Sequence, residues 1–362
     1  MPDPFGTAGI RDRVLAAWAA SPERFREDAN AEEDLALGGY RDRLLIELAQ
    51  NAADAAAAAG VAGELRLRLA DGCLLAANTG APLDAPGVAA LSSLRASAKR
   101  DGGSVGRFGV GFAAVLAVTD EPEIRSLGGG VRFSAAETRG EVAGLPSLAA
   151  ELERRGGAVP VLRLPRPLDG QPPEGFSTEV RLPLRPAAIR VVQAALDALD
   201  AALLLALPAL STVDVNGRII TRSGSEPHIV TTDGGVETRW HVVSAGGTIP
   251  GELLADRPIE ERERASWDLL WALPATALPG RQVVQAPTPS DEPLSLPARL
   301  VASFPLGPDR RHVAPGPLTD WLVERCADSY LDLVRSVDGG PDVLRLVPLP
   351  GLAAGQLDAA LS

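Results

Sequence analysis

The sequence predicts an α+β protein, with helices on one face of a mostly antiparallel sheet through about residue 225 and a smaller α/β domain after it. Three observations predict this. Tyr40 to Ala59 carries the strongest helical pattern in the chain and stops at Gly60, a residue suited to a helix C-terminus. Glu64-Leu-Arg-Leu-Arg-Leu69 alternates apolar and polar side chains as a half-buried strand does. Asp71-Gly72 then turns the chain back into Cys73–Ala77, a hairpin signal.

The remaining elements follow in order. Residues 8–40 read as short helices, with Ser21-Pro22-Glu23 as a helix start: Ser at the N-cap and Pro at the first helical position. A helical piece around Val88–Leu94 leads into the glycine-rich stretch Gly102–Gly111. Alternating runs at Glu123–Ser126, Val131–Ser134, Val159–Leu164 and Thr178–Leu184 read as strands, and Ala187–Ala206 as a second long helix. Thr212–Val215, Asn216-Gly217 and Arg218–Thr221 form another hairpin. Beyond Ser223-Gly224-Ser225 the composition changes. A hairpin spans His228–Ser244 through Asp233-Gly-Gly235, followed by strand-like runs at Trp267–Leu273 and Ala298–Phe304. A helix at Leu318–Val337 and a last strand near Val343–Val347 complete the chain, and Ala286–Pro297 is a Pro-rich loop. This organisation divides into an N-terminal helical segment at 1–39, a first domain at 40–225 and a second at 226–362. Gln356–Ser362 reads as the start of a helix, so the natural polypeptide is expected to continue.

Composition narrows the function classes. The 362 residues are 46% apolar and 23% charged, as in a globular protein, not a disordered one. A net charge of −12 argues against a broad nucleic-acid or anionic-membrane surface, though not against a local basic groove. Two distant cysteines, Cys73 and Cys326, imply neither a disulfide framework nor a zinc site. The N-terminus lacks a secretory pattern and the longest apolar runs are far too short for a bilayer, so a cytoplasmic location is expected. Among 35 basic residues Lys99 is the single lysine.

Four segments carry candidate chemistry. Glu47, Asn51 and Asp54 stand at i, i+4 and i+7, on one face of their helix. That face is either the solvated side of an amphipathic helix or a carboxylate and an amide aimed into a nucleotide site. Gly106-Arg-Phe-Gly-Val-Gly-Phe112 either makes a plain turn or lets backbone N–H groups at a helix start approach phosphate. It is neither a P-loop nor a dinucleotide fingerprint. Asn78-Thr-Gly80 ends a strand, where by itself it reads as an ordinary turn, and Thr178 lies on a later strand where it is a good β-former in any case.

In this order and spacing the four segments resemble the Bergerat nucleotide fold of the GHKL superfamily: gyrase, heat-shock-protein-90-type chaperones, histidine kinases and MutL. The likeness is nearest to the heat-shock branch and, within it, to sacsin-like N-terminal domains. It rests on Glu47-Leu-Ala-Gln-Asn-Ala-Ala-Asp-Ala55, Gly106-Arg-Phe-Gly-Val-Gly-Phe112 and Val118-Thr-Asp-Glu-Pro122. It covers residues 40–225 well and is faint beyond.

The resemblance implies a Bergerat-type sandwich that binds ATP and Mg²⁺, an ATPase and chaperone role, and client proteins as partners. It implies that Glu47 is the general base for water attacking the γ-phosphate. Asn51 would be the Mg²⁺ ligand and Asp54 a polar group one turn further on. Gly106, Phe108, Gly109, Val110 and Gly111 would cradle phosphate, and Thr178 would help to hold adenine. Asn78 and Gly80 stand in the superfamily's Asp-x-Gly-x-Gly, with Asn for Asp and Pro82 for the second glycine. The Asn oxygen can still accept from the adenine amino group, without charge assistance. Ser92–Ser104 falls where the family has a mobile lid, from which Lys99 would reach a phosphate. Arg310 and Arg311 match an arginine supplied by the next domain, with an ion pair to Asp309 as the plain alternative. Two further readings stay open: a nucleotide-gated scaffold without turnover, and a histidine-kinase catalytic domain. No histidine on a dimerising helix supports the second, and Glu47 at the base position favours water as acceptor. His228 and His241 sit in strand contexts and read as structural.

Overall fold

The computed structural model describes residues 3–37, 43–93, 110–257, 262, 265–276, 282–286, 288–307, 311–337, 344, 346–347 and 355–361. The described chain is α+β, with mostly antiparallel strands. It divides into two units, Met1–Leu199 with Ala209–Arg218, and Asp200–Pro208 with Ile219–Ser362.

In the first unit helices α1 (Thr7–Ala20) and α2 (Pro22–Leu37) precede α3 (Leu44–Ala59). α3 ends as its sequence predicts: Gly60 adopts φ 65° and its N–H returns to Ala56 and Ala57. β1 (Gly63–Ala70) and β2 (Cys73–Asn78) pair around Asp71-Gly72, both with positive φ, the turn whose twist matches paired strands. Helix α4 (Ala85–Ser93) follows, and then a 3₁₀ helix, Val110–Ala117. The remaining strands are β3 (Glu123–Ser126), β4 (Gly129–Arg132), β5 (Arg166–Leu168), β6 (Thr178–Pro183) and β7 (Leu210–Val215). Their order is β7-β1-β2-β6-β3-β4-β5, and only β1/β7 is parallel. Leu65, Leu67 and Leu74 are buried on the sheet, and α3 packs on β1, β7 and the 3₁₀ helix.

Helices α5 (Ala135–Ala143) and α6 (Ala149–Arg154) fill a stretch in which the sequence reading placed nothing. They pack with α1 and α2 around Trp18, Phe25, Val142, Leu148 and Leu164. Trp18 meets Phe25 edge-on at 5.2 Å, and its indole N–H donates to Asp28 at 2.9 Å.

Three readings of this unit are corrected. Val159–Leu164 is not a strand: the Val161 and Leu162 N–H groups donate to Glu32 of α2, which takes the place of a neighbouring strand. The expected helix Ala187–Ala206 is broken. Leu199 turns extended between α7 (Ile189–Ala198) and α8 (Ala202–Ala206), and Asp200 accepts from the Ala202 N–H at 2.8 Å. The helix after Phe112 is wound as 3₁₀ rather than α.

The second unit contains α8 and the strands β8 (Arg218–Ser225, from Ile219), β9 (His228–Asp233), β10 (Val236–Thr248), β11 (Ser266–Pro274), β12 (Gln282–Ala286), β13 (Thr288–Leu294) and β14 (Arg299–Ala302). They are ordered β8-β9-β10-β11-β14-β12-β13. Helix α9 (Pro317–Ser336) and the short α10 (Gln356–Leu361) complete it. Trp271, Leu300, Leu322, Cys326 and Leu333 form its core, and the Trp271 indole donates to the Cys326 carbonyl. The Pro-rich segment expected as a loop is strand β13, and the strand expected at Val343–Val347 is absent from its described residues, where Leu344 and Leu346 are helical. No helix among the described residues is long and apolar enough to cross a membrane.

Candidate functional site

Helix α3 carries three of the candidate residues, Glu47, Asn51 and Asp54. Its apolar side, Leu44, Leu45, Leu48, Ala49 and Ala52, is buried, which fixes the rotation of the helix. Glu47 and Asn51 are then half-buried on the other side and Asp54 is exposed one turn further. The Glu47 carboxylate lies directly against Gly111: a Cβ added there would land on Glu47 Oε2. The glycine-rich helix start and the acidic helix face are therefore in contact, although 64 positions separate them. Asn51 adds a second feature. Its Nδ2 is shielded from solvent and finds no hydrogen-bond partner among the described residues. An unmet buried amide is costly, on the order of 1–3 kcal/mol.

The end of β2 comes to the same helix. Gly80 has φ 107°, and a Cβ there would sit 2.5 Å from the Ala55 carbonyl. The next residue, Ala81, donates its N–H to the Ala55 carbonyl at 2.9 Å. Only a glycine fits both the backbone angle and the approach. Asn78 is buried, and its Nδ2 donates to the Thr79 carbonyl at 2.9 Å. That bond leaves the Asn78 side-chain oxygen as the acceptor end of the amide.

Thr178 is directly opposite Asn78 in the β2/β6 register. It is 2% exposed, and its hydroxyl is 3.0 Å from Ser126 Oγ. Ser126 also bonds the Ser177 carbonyl and receives the Leu83 N–H at 2.8 Å. It therefore joins β3, β6 and the segment leading into α4. The sequence reading passed over Ser126, since a serine at the end of an alternating strand carries no signal of its own. Thr79 was also missed: its hydroxyl accepts from the Glu64 N–H at 2.9 Å and pins the loop to the start of β1.

Gly111 thus meets Glu47 on α3 and Gly80 meets Ala55 of the same helix, while Asn78 and Thr178 stand opposite one another on β2 and β6. Lys99, Gly106, Phe108, Gly109 and Arg310 lie outside the described residues, and Val110 is described as the first residue of the 3₁₀ helix. Arg311, in the second unit, is exposed and pairs with Asp291 at 3.7 Å, and the ion pair with Asp309 expected as its plain alternative lies outside the described residues.

A cleft of about 260 Å³ opens elsewhere on the first unit, between α2, the end of the 3₁₀ helix and the start of α5. It contains none of the candidate residues. Arg139, Arg155 and Arg185 line it, each already bonded within the fold: to the Gly157 carbonyl, to Asn30 and Glu33, and to Asp120. Glu32 lies at its wall, fully buried, and burial pushes its carboxyl up to about 7 despite two backbone N–H donors and nearby Arg163.

Chemically, the α3 site offers a carboxylate, a buried amide and a backbone-lined helix start. Those groups suit a hard cation with phosphate oxygens and water better than a site built wholly from protein ligands. Among the described residues no cluster of three or more His, Cys, Asp or Glu could hold a metal. Compared with known proteins, the chain matches no family model and no curated protein.

Proposed function

We propose that the first unit is a Bergerat-type, GHKL-superfamily ATP-binding module of the heat-shock-protein-90 type, nearest to sacsin-like domains, and that it hydrolyses ATP with Mg²⁺. The observation that carries this reading is the seat of the Glu47 carboxylate against Gly111. It puts a base beside backbone amides at a helix start, the two components that in-line water attack on a terminal phosphate requires. Glu47 accepts the proton of that water as its oxygen attacks phosphorus. Asn51 would hold the cation through its amide oxygen, and its buried Nδ2 is a polar group left without a partner among the described residues. Mg²⁺, when bound, neutralises charge on the phosphates. Asn78, with its oxygen as acceptor, and Thr178 hold the adenine edge. A chaperone role with client proteins follows from the same resemblance.

The test is ATP turnover by wild type, Glu47→Ala and Asn51→Ala, with melting shifts by ADP and a non-hydrolysable ATP analogue. The expected result is a loss of about 10²–10⁴ in rate for Glu47→Ala with nucleotide binding retained. For Asn51→Ala, the Mg²⁺-dependent part of the melting shift should disappear. Nucleotide binding without turnover above the Glu47→Ala background would establish the scaffold reading instead, which the uncharged Asn78 and stiff Pro82 favour. No melting shift with either nucleotide would remove every nucleotide reading.

A further inference from the structure

Arg222 of β8, in the second unit, carries a positive charge that its surroundings do not meet. Its Nε is shielded from solvent and finds no hydrogen-bond partner. Arg125, Arg155, Arg299 and Arg325 share that feature, but each brings another guanidinium nitrogen to a carboxylate: Glu123, Glu33, Asp200 and Asp328. Arg222 pairs with no carboxylate among the described residues, and burial lowers its pKa with no neighbouring charge to offset the effect. The residue as a whole is partly exposed, and its two terminal nitrogens, unlike Nε, are open to solvent.

The register shows what stands beside it. Arg222 is the direct partner of Thr231 in β9, and Thr231 of Thr238 in β10, so the three form one row on one face of the sheet. Trp240 shares that face, and its indole N–H donates to the Thr231 hydroxyl at 2.8 Å. This bond uses a lone pair of the hydroxyl. The hydroxyl's own proton has no acceptor among the described residues, although Thr231 is only 1% exposed. The register also brings Arg299 of β14 to this face, 5.8 Å from the Trp240 ring centre, where Asp200 neutralises it at 3.1 Å. The fold thus supplies a counter-charge to one arginine of the face and none to the other.

We propose that Arg222, with the Thr231 hydroxyl beside it, binds a tetrahedral oxyanion of the phosphate class, free or carried as a phosphomonoester. The end of the guanidinium offers two parallel N–H donors to two oxygens, and the hydroxyl proton goes to a third. A carboxylate has two oxygens, both taken by the fork. Arginine suits this role better than lysine because its donors are planar and fixed relative to one another. The site is independent of the proposed ATP chemistry.

The test uses the full chain without nucleotide or Mg²⁺, at constant ionic strength, with inorganic phosphate, glycerol 2-phosphate and acetate as probes. NMR of the arginine Nε–H groups follows Arg222, whose resonance is identified by its loss in Arg222→Lys. Isothermal titration gives the affinities. The Arg222 resonance is expected to move saturably at millimolar phosphate, with acetate binding more weakly. Whichever of phosphate and glycerol 2-phosphate binds more tightly identifies the natural form of the ligand, and either supports the site. Arg222→Gln should abolish binding, and Arg222→Lys, which keeps the charge and loses the fork, should weaken it about tenfold. Thr231→Val should also weaken it about tenfold, whereas Thr231→Ser should bind as wild type. Arg222→Lys carries the test alone if Arg222→Gln or Thr231→Val fails to fold. The proposal fails if wild type shows no saturable binding, or if the Arg222 resonance stays fixed while phosphate binds. It fails equally if the Arg222 variants bind as wild type or if acetate binds as tightly as phosphate.

Discussion

Gly111 lacks a side chain where Glu47 needs the room. The conflict a Cβ would meet is with a side-chain oxygen, so either the carboxylate or the backbone must move if one is added. Gly111→Ala is therefore expected to cost about 1–3 kcal/mol in urea denaturation, the range for overpacking a filled position. The cost should fall toward zero in a Glu47→Ala background, since the obstructing atoms are then gone. A coupling energy near zero in that double-mutant cycle would mean that the two residues do not meet. Asn78 shows the same economy of space. As an amide it donates to the Thr79 carbonyl, which an ionised Asp in its place would repel. The local backbone alone accounts for Asn where the superfamily resemblance leads one to expect Asp.

At the level of elements, what the sequence reveals depends on where the determining contacts lie. The turns at Asp71-Gly72, Asn216-Gly217 and Gly234-Gly235 are legible because the positive φ values they need belong to the turn residues themselves. The α3 stripe and its Gly60 stop are legible for the same local reason. Val159–Leu164 misleads because its alternation reflects burial beneath α2, and its ladder partner is a carboxylate 129 residues away. Pro289 and Pro293 read as loop formers, yet both fit β13, the last strand of its sheet, where a missing N–H leaves no neighbour unpaired. The candidate residues of α3 and β2 are named by their types and spacing, but the Glu47–Gly111 contact and the Ser126 bridge are tertiary facts that no spacing encodes. The start of helix α5 is legible as well. Ser134-Ala-Ala-Glu137 is a capping-box pattern, and the Ser134 hydroxyl accepts from the Glu137 N–H at 3.3 Å. Ser134 also bonds Glu121, so Ser134→Ala should cost about 1 kcal/mol or somewhat more, while Ser134→Asp should recover the cap. Chemical denaturation of the three proteins checks this; equal stabilities would mean that the cap contributes nothing.

For the whole molecule, the charge distribution predicts an unusual dependence of stability on pH. Several carboxyls lie below their ordinary range. Hydrogen bonds from Arg185, Arg132 and Arg154 lower Asp120, Glu137 and Glu151, and Arg68 lowers Asp214 against the opposing effect of its burial. Each binds fewer protons folded than unfolded, so each adds stability above its unfolded value that is lost as pH falls through its folded one. Glu32 works in the opposite direction. Burial raises it from 4.5 to about 7, so between those values the folded chain holds a proton that the unfolded chain has released. Its contribution is complete below pH 4.5 and is lost as pH rises through 7. The shift corresponds to at most about 3 kcal/mol. Burial also raises Asp268, in the second unit, which adds in the same sense. The expected profile climbs through the acid range and then levels or declines toward neutrality, despite a net charge of −12 that deprotonation only increases. Glu32→Gln isolates the group responsible. It is uncharged at every pH and keeps an acceptor for Val161 or Leu162, so urea denaturation should show its stability rising relative to wild type between pH 5 and pH 8. Its acid limb should run parallel to wild type below pH 4, where Glu32 is protonated in both states. If the difference between the two proteins is flat from pH 5 to 8, Glu32 keeps an ordinary acidity and its two backbone donors, with Arg163, offset the cost of its burial.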